Sequence, residues 1–182
     1  MLRSILIIGI CLHVALLAQE LSESERKELA DIYLEQGVSE FQAGDYESAA
    51  RNYAASMSYW GTSLAYANLC NLFLSGLGVP QDYERARTLC KAAAALDDVN
   101  AITMLGDIYR FGLGVPEDLN VAVDYYSRGA EMGHPHAQYA YGLILLETDP
   151  EEARRLLEIS SASGYEAATE ALSQMQGETP NR

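Results

Sequence analysis

The sequence predicts an all-α protein, a solenoid of about four stacked helical hairpins with a C-terminal capping helix, and three observations carry that prediction. The pentapeptide Gly-Leu-Gly-Val-Pro stands at Gly76–Pro80 and again at Gly112–Pro116, 36 residues later. Other landmarks move by the same interval: Ala65 to Ala101, Leu69 to Leu105, Phe73 to Tyr109, Asp82 to Asp118 and Ala86 to Ala122. Within a copy the apolar spacing is helical, as in Ala101, Leu105, Ile108 and Tyr109, and no strand-like alternation competes with it. A period of this length marks units that bury their apolar faces only by stacking.

The chain opens differently. Arg3 precedes a charge-free apolar run from Ile5 to Ala18, the layout of a secretory signal peptide cut after Ala18. Residues 1–18 are therefore read as a signal, and the protein is expected in the periplasm or secreted. The alternative is an inner-membrane anchor over residues 4–18, with Leu16 standing where a cleavage site prefers a small residue. That run is short of the roughly 20 residues a spanning helix needs, and Ile10 before Cys11 is too large for a lipoprotein site. A buried N-terminal helix is the third possibility.

Residues 19–176 are expected to form a single helical-repeat domain, with repeats at about 22–60, 63–98, 99–134 and 135–164, a cap at 165–176 and a flexible tail at 177–182. Ser22 followed by Glu25 reads as a capping box opening a first helix that ends at Gly44. Asp45, Asp82, Asp118 and Asp149 each stand four residues before an alanine, where a carboxylate can accept from the free amides of a new helix. In the Gly-Leu-Gly-Val-Pro turns, glycine suits the left-handed end of one helix and proline cannot continue it. The copy beginning at Ala137 lacks that turn; Glu147-Thr148-Asp149-Pro150 makes the corner alone, and Glu151 and Glu152 favour the next helix start. A tail helix is expected over roughly Tyr165–Met175.

Charge narrows the function. The chain carries 12 basic and 26 acidic residues, a net charge of −14, and losing residues 1–18 would remove Arg3 and no acid. Nucleic acid would be repelled, because phosphate binding relies on clustered Lys and Arg. The adjacent pairs Arg26-Lys27 and Arg154-Arg155 both sit among glutamates. Enzyme motifs are missing too: the sequence holds no nucleophile elbow, Walker loop or H-E-x-x-H, and the repeated glycine turn follows a helix with no lysine after it. His134 and His136 stand together with no third donor in reach along the sequence, and a metal needs three or four. No cofactor, metal or catalytic residue is expected.

After export Cys70 and Cys90 would be the two remaining cysteines, an even number in an oxidising compartment. They occupy the positions that are Gly106 and Tyr126 one repeat later. A structural disulfide between facing helices and a pair of buried thiols both fit this placement.

The motif Leu105-Gly106, Tyr109, Gly112, Gly114-Val115-Pro116, Asp118, Ala122, Tyr125-Tyr126 and Ala130 resembles that of the Sel-one-like repeats, relatives of the tetratricopeptide repeat. The opening hairpin, with Gly37, Gly44-Asp45-Tyr46, Ala49 and Tyr53, is similar to the tetratricopeptide pattern itself. The resemblance covers about residues 30–168. It implies a right-handed solenoid whose first helices line a concave face, serving as a non-catalytic adaptor for a protein partner. By analogy that face should carry Leu34, Val38 and Phe41, then Ala67, Asn71 and Leu74. It continues with Thr103, Asp107 and Arg110, then Tyr139 and Leu143. The protein is expected to be a monomer alone and to touch a membrane only if the N-terminal segment is uncut. An immunity-type inhibitor of a toxic effector is the alternative within binding, and a cell-wall-acting or lactam hydrolase the alternative outside it.

Overall fold

The computed structural model describes residues 21–175. The signal reading of residues 1–18, with Arg3 and Cys11, and the tail at 177–182 lie outside the described residues. Among the described residues every regular element is an α-helix: α1 (Glu23–Ala43), α2 (Tyr46–Tyr59), α3 (Ser63–Ser75), α4 (Tyr83–Ala94), α5 (Val99–Arg110), α6 (Leu119–Glu131), α7 (Pro135–Leu145), α8 (Pro150–Ala162) and α9 (Glu166–Met175). None of them is long and apolar enough to cross a membrane. Four hairpins result, α1 with α2, α3 with α4, α5 with α6 and α7 with α8, and α9 packs on α8. The chain divides into two compact units, one ending at Asp98 and one beginning at Val99.

Side-chain caps set where the helices begin. Ser22 and Glu25 form the complete reciprocal capping box, and Asp45, Asp82, Asp118 and Asp149 each accept a backbone amide three residues on. Two further caps come from residues the sequence did not flag. Thr62 Oγ1 accepts from the Ala65 amide at 3.2 Å, and His134 Nδ1 accepts from the Ala137 amide at 3.4 Å.

In the first unit Ala49, Ala50 and Tyr53 of α2 and Leu69 and Leu72 of α3 make a buried cluster, covered by Leu34, Val38 and Phe41 of α1. The loop after α3 also closes on it. Gly78 has φ +69, and a Cβ there would stand 2.2 Å from the carbonyl carbon of Tyr46 and 2.4 Å from the amide of Glu47. Backbone meets backbone at this point, and only glycine fits. Inside the second hairpin, Cys70 and Cys90 are bridged with their Cα atoms 5.5 Å apart, which selects the disulfide over the pair of free thiols.

The second unit is built on Ala122, Tyr126 and Ala130 of α6, Ala137 and Ala140 of α7, and Leu156 of α8. The small residues let helices approach closely: a Cβ on Gly129 would lie 2.8 Å from Ala137 Cβ and 2.9 Å from Thr103 Oγ1. Buried polar groups then fix the start of α7, with Ser160 Oγ of α8 donating to the Pro135 carbonyl at 2.7 Å and Gln138 Nε2 donating to the Ala130 carbonyl at 3.4 Å.

Candidate functional site

In the second unit the most chemically varied surface is formed by the first helices of its hairpins, α5 and α7, together with Tyr126 of α6 and Tyr165 ahead of α9. Asp107 is its centre. The Tyr126 hydroxyl donates to Asp107 Oδ1 at 2.6 Å, and His136 Nε2 lies 3.5 Å from the same oxygen. The Asp107 and His136 side chains retain 23% and 32% of their exposure, whereas Tyr126 is fully buried. Burial raises the Tyr126 phenol far above its ordinary range, and the hydrogen bond to Asp107 and the charge of Asp107 push the same way against a smaller opposing effect of Arg110. Tyr126 therefore stays a proton donor that holds the carboxylate in place.

Three aromatic rings extend from this centre. His136 stacks on Tyr165 with centroids 5.7 Å apart and planes 16° from parallel, and Tyr139 meets Tyr165 at 5.2 Å. All three rings are partly exposed. The Tyr165 phenol is raised by burial, then by Tyr139 and Asp107. Arg110, one turn along α5 from Asp107, lies over the Phe111 ring at 5.3 Å. Leu143 continues the same side of α7 and is partly exposed.

Of the residues the sequence placed on this face, Asp107, Arg110, Tyr139 and Leu143 keep surface, but Thr103 does not. It is 2% exposed, its hydroxyl is spent on the Val99 carbonyl at 2.9 Å, and it packs where Gly129 leaves room. The two neighbouring histidines are placed differently. His134 caps α7 and has its Nε2 3.1 Å from Asn100 Oδ1, while His136 sits on the helix facing Asp107. Among the described residues no group of three or more His, Cys, Asp or Glu is placed to hold a metal ion.

The first unit presents a plainer face. Asn71 accepts from the Ser75 hydroxyl at 3.3 Å, and both Asn71 and Leu74 are partly exposed. Ala67 is 2% exposed and presents no side-chain surface. Leu34, Val38 and Phe41 are partly buried because they cover the Tyr53–Leu72 cluster, so packing accounts for most of their apolar area.

His136, Tyr126 and Tyr165 were missed as site residues. The signal available for His136 was its spacing: His136, Tyr139 and Leu143 fall on one side of a helix at i, i+3 and i+7.

A family model described as Sel1 repeat matches residues 63–98, 99–134 and 135–165. An uncharacterized protein of Neisseria meningitidis serogroup B is 36% identical over 69 residues, 38% of this chain and 15% of that protein. The crystal structure of a Sel1 repeat protein from Oxalobacter formigenes matches with a TM-score of 0.73 and 25% identity over 79% of this chain and 61% of its own. A protective antigen present in uropathogenic Escherichia coli strains, with the same repeat fold, matches with a TM-score of 0.68 and 24% identity over 91% of this chain and 37% of its own. The chain thus spans less than two thirds of the length of each of these proteins. With more than half of its residues matched by the family model and its hairpin solenoid fold shared with solved members, the chain belongs to the Sel1 repeat family, whose members generally serve as protein–protein interaction modules.

Proposed function

We propose that the protein is an exported, non-catalytic interaction module, an adaptor, scaffold or regulator that holds a protein partner against the first helices of its repeats. The observation that carries the reading is the α5–α7 face, where Asp107, His136, Tyr139 and Tyr165 keep exposed surface while buried contacts hold them in position. A face fixed by its own packing loses little conformational entropy when a partner arrives. Export is supported by the apolar run Ile5–Ala18 and by the Cys70–Cys90 bridge, since disulfides persist in oxidising compartments.

Capture from a native envelope extract tests the binding reading, with the chain from Gln19 immobilised beside its Leu74→Glu and Asp107→Arg variants. One dominant protein should be retained by the parent chain and weakened in at least one variant, with helical content unchanged. Equal capture by both variants would remove the first-helix faces as the binding surface. For export, the tagged full chain should be recovered outside the cytoplasm with an N-terminus near Gln19. A cytoplasmic chain that still begins at Met1 would overturn that part.

A further inference from the structure

We infer that the α5–α7 face of the second unit is a receptor for an arginine side chain presented by an extended segment of the partner; this deepens the interaction reading above and rests on it. Asp107 has both of its contacts, the Tyr126 hydroxyl at 2.6 Å and His136 Nε2 at 3.5 Å, on Oδ1. Its Oδ2 takes no hydrogen bond among the described residues, and the carboxylate remains partly exposed. Arg110, which lies over the Phe111 ring, also acts on the Tyr126 hydroxyl, but among the described residues no Lys or Arg nitrogen is placed within ion-pair distance of the Asp107 carboxylate itself. One carboxylate oxygen is thus held within the chain, and the other can accept from a donor that a partner brings.

The rings around the carboxylate define the donor: His136 touches it and Tyr165 feels its charge. Tyr139, Tyr165 and His136 form a run of rings, each within 5.2 to 5.7 Å of the next. Aromatic faces attract cations through the negative potential above the ring, and a planar guanidinium can stack on such a face while its N–H groups reach a carboxylate. An ammonium would meet the charge but not the plane, so arginine fits better than lysine. The whole chain supports the same choice, because a net charge of −14 draws basic segments in and repels acidic ones.

The test is an NMR titration of the isotope-labelled chain from Gln19 with the blocked pentapeptide Gly-Ser-Arg-Ser-Gly and its citrulline and lysine counterparts. Citrulline keeps the shape of arginine and loses the charge. The arginine peptide should shift the ring resonances of Tyr139, Tyr165 and His136 saturably, and the citrulline peptide should bind about ten-fold more weakly or worse. Asp107→Asn, which still accepts from Tyr126, should produce the same loss with the arginine peptide. Tyr139→Leu, which keeps the bulk and removes the ring, should weaken arginine more than lysine. Equal affinity for arginine and citrulline, or an Asp107→Asn variant that binds as the parent does, would overturn the inference. Shifts scattered over the acidic surface without saturation would overturn it as well. A chain that captures a protein partner yet ignores the arginine peptide would sink this inference and leave the interaction reading standing.

Discussion

The ring of Tyr126 lies on the bare backbone of Gly106: a Cβ added there would stand 2.5 Å from Cε1 of the tyrosine. The pairing recurs in the first and fourth hairpins. A Cβ on Gly37 would stand 2.7 Å from the Tyr53 ring and one on Gly142 3.1 Å from Leu157 Cγ, and in the second hairpin the equivalent positions are Cys70 and Cys90, joined covalently. One small residue on the first helix and one large residue on the second thus set how closely the two helices lie, and where that pair is absent a bond takes its place. In the third hairpin the same tyrosine continues past Gly106 to hold Asp107, so the contact that closes the hairpin also positions the candidate site.

Gly106→Ala should destabilise the chain by about 1–3 kcal/mol, because the methyl group must displace a buried ring with little room to move. Gly142→Ala should come out close to neutral. Its Cβ would meet Leu157 Cγ at 3.1 Å and the Ala153 carbonyl at 3.2 Å, contacts that a small adjustment relieves, and alanine gains about 1 kcal/mol over glycine within a helix. Urea unfolding of both variants gives the comparison, and equal losses would show that the tyrosine-on-glycine contact has slack.

Removing the Cys70–Cys90 bridge by Cys70→Ser with Cys90→Ser should cost about 3 kcal/mol, the loop-entropy value for a closed segment of this size. Replacing the pair instead by Cys70→Gly with Cys90→Tyr should recover part of that loss, because it installs the packing that Gly106 and Tyr126 show one hairpin later. Urea midpoints of the two double variants decide it. If the glycine–tyrosine pair is no better than the two serines, the bridge and the ring contact are not interchangeable.

The repeat and its caps were legible because both depend on neighbours in sequence. The Asp45, Asp82, Asp118 and Asp149 caps each lie within one turn of the amide they accept from, the apolar spacing runs along single helices, and the 36-residue shift repeats both in plain letters. Asp107 and Tyr139 were legible as site candidates for the same reason, by counting along a helix. Tyr165 was not, because it reaches His136 and Tyr139 only through the way α9 follows α8 and packs on it. Ala67 and Thr103 differ in the opposite direction: helical phase put them on the expected row, but both are small and each is only 2% exposed. Phase predicts a side, and volume decides whether that side stays open.

Gly78→Ala should cost about 3 kcal/mol or more, combining a left-handed backbone with overpacking. The atoms in the way are the backbone of Tyr46 and Glu47, which cannot rotate aside as a side chain can. Gly44→Ala supplies the control: φ there is +82, but nothing lies within 4 Å of the added Cβ, so only the backbone preference of about 1–2 kcal/mol is lost. Similar losses at the two positions, read from urea unfolding, would mean that the Gly78 loop moves off the start of α2 at little cost.

Tyr126 gives the chain a stability that alkali should remove. Burial first, then the hydrogen bond to and the charge of Asp107, raise its phenol far above the ordinary value of 10.0, so the native state keeps a proton that the unfolded chain releases. The contribution is therefore complete below about pH 10 and falls as pH rises further, by up to about 1.4 kcal/mol per unit. Tyr53, Tyr59 and Tyr165 are raised as well, so Tyr126→Phe should reduce the alkaline slope without abolishing it. Below about pH 9 the parent should be the more stable of the two by about 1–3 kcal/mol, the worth of a hydrogen bond to a charged acceptor. Above about pH 10 the gap should narrow and, for a gap of about 1–3 kcal/mol, reverse between about pH 10.5 and 12, since phenylalanine has no proton to lose in the unfolded chain. Urea unfolding of both proteins across that range measures it, and parallel curves would show that Tyr126 titrates alike in the folded and unfolded states, contrary to its burial against Asp107.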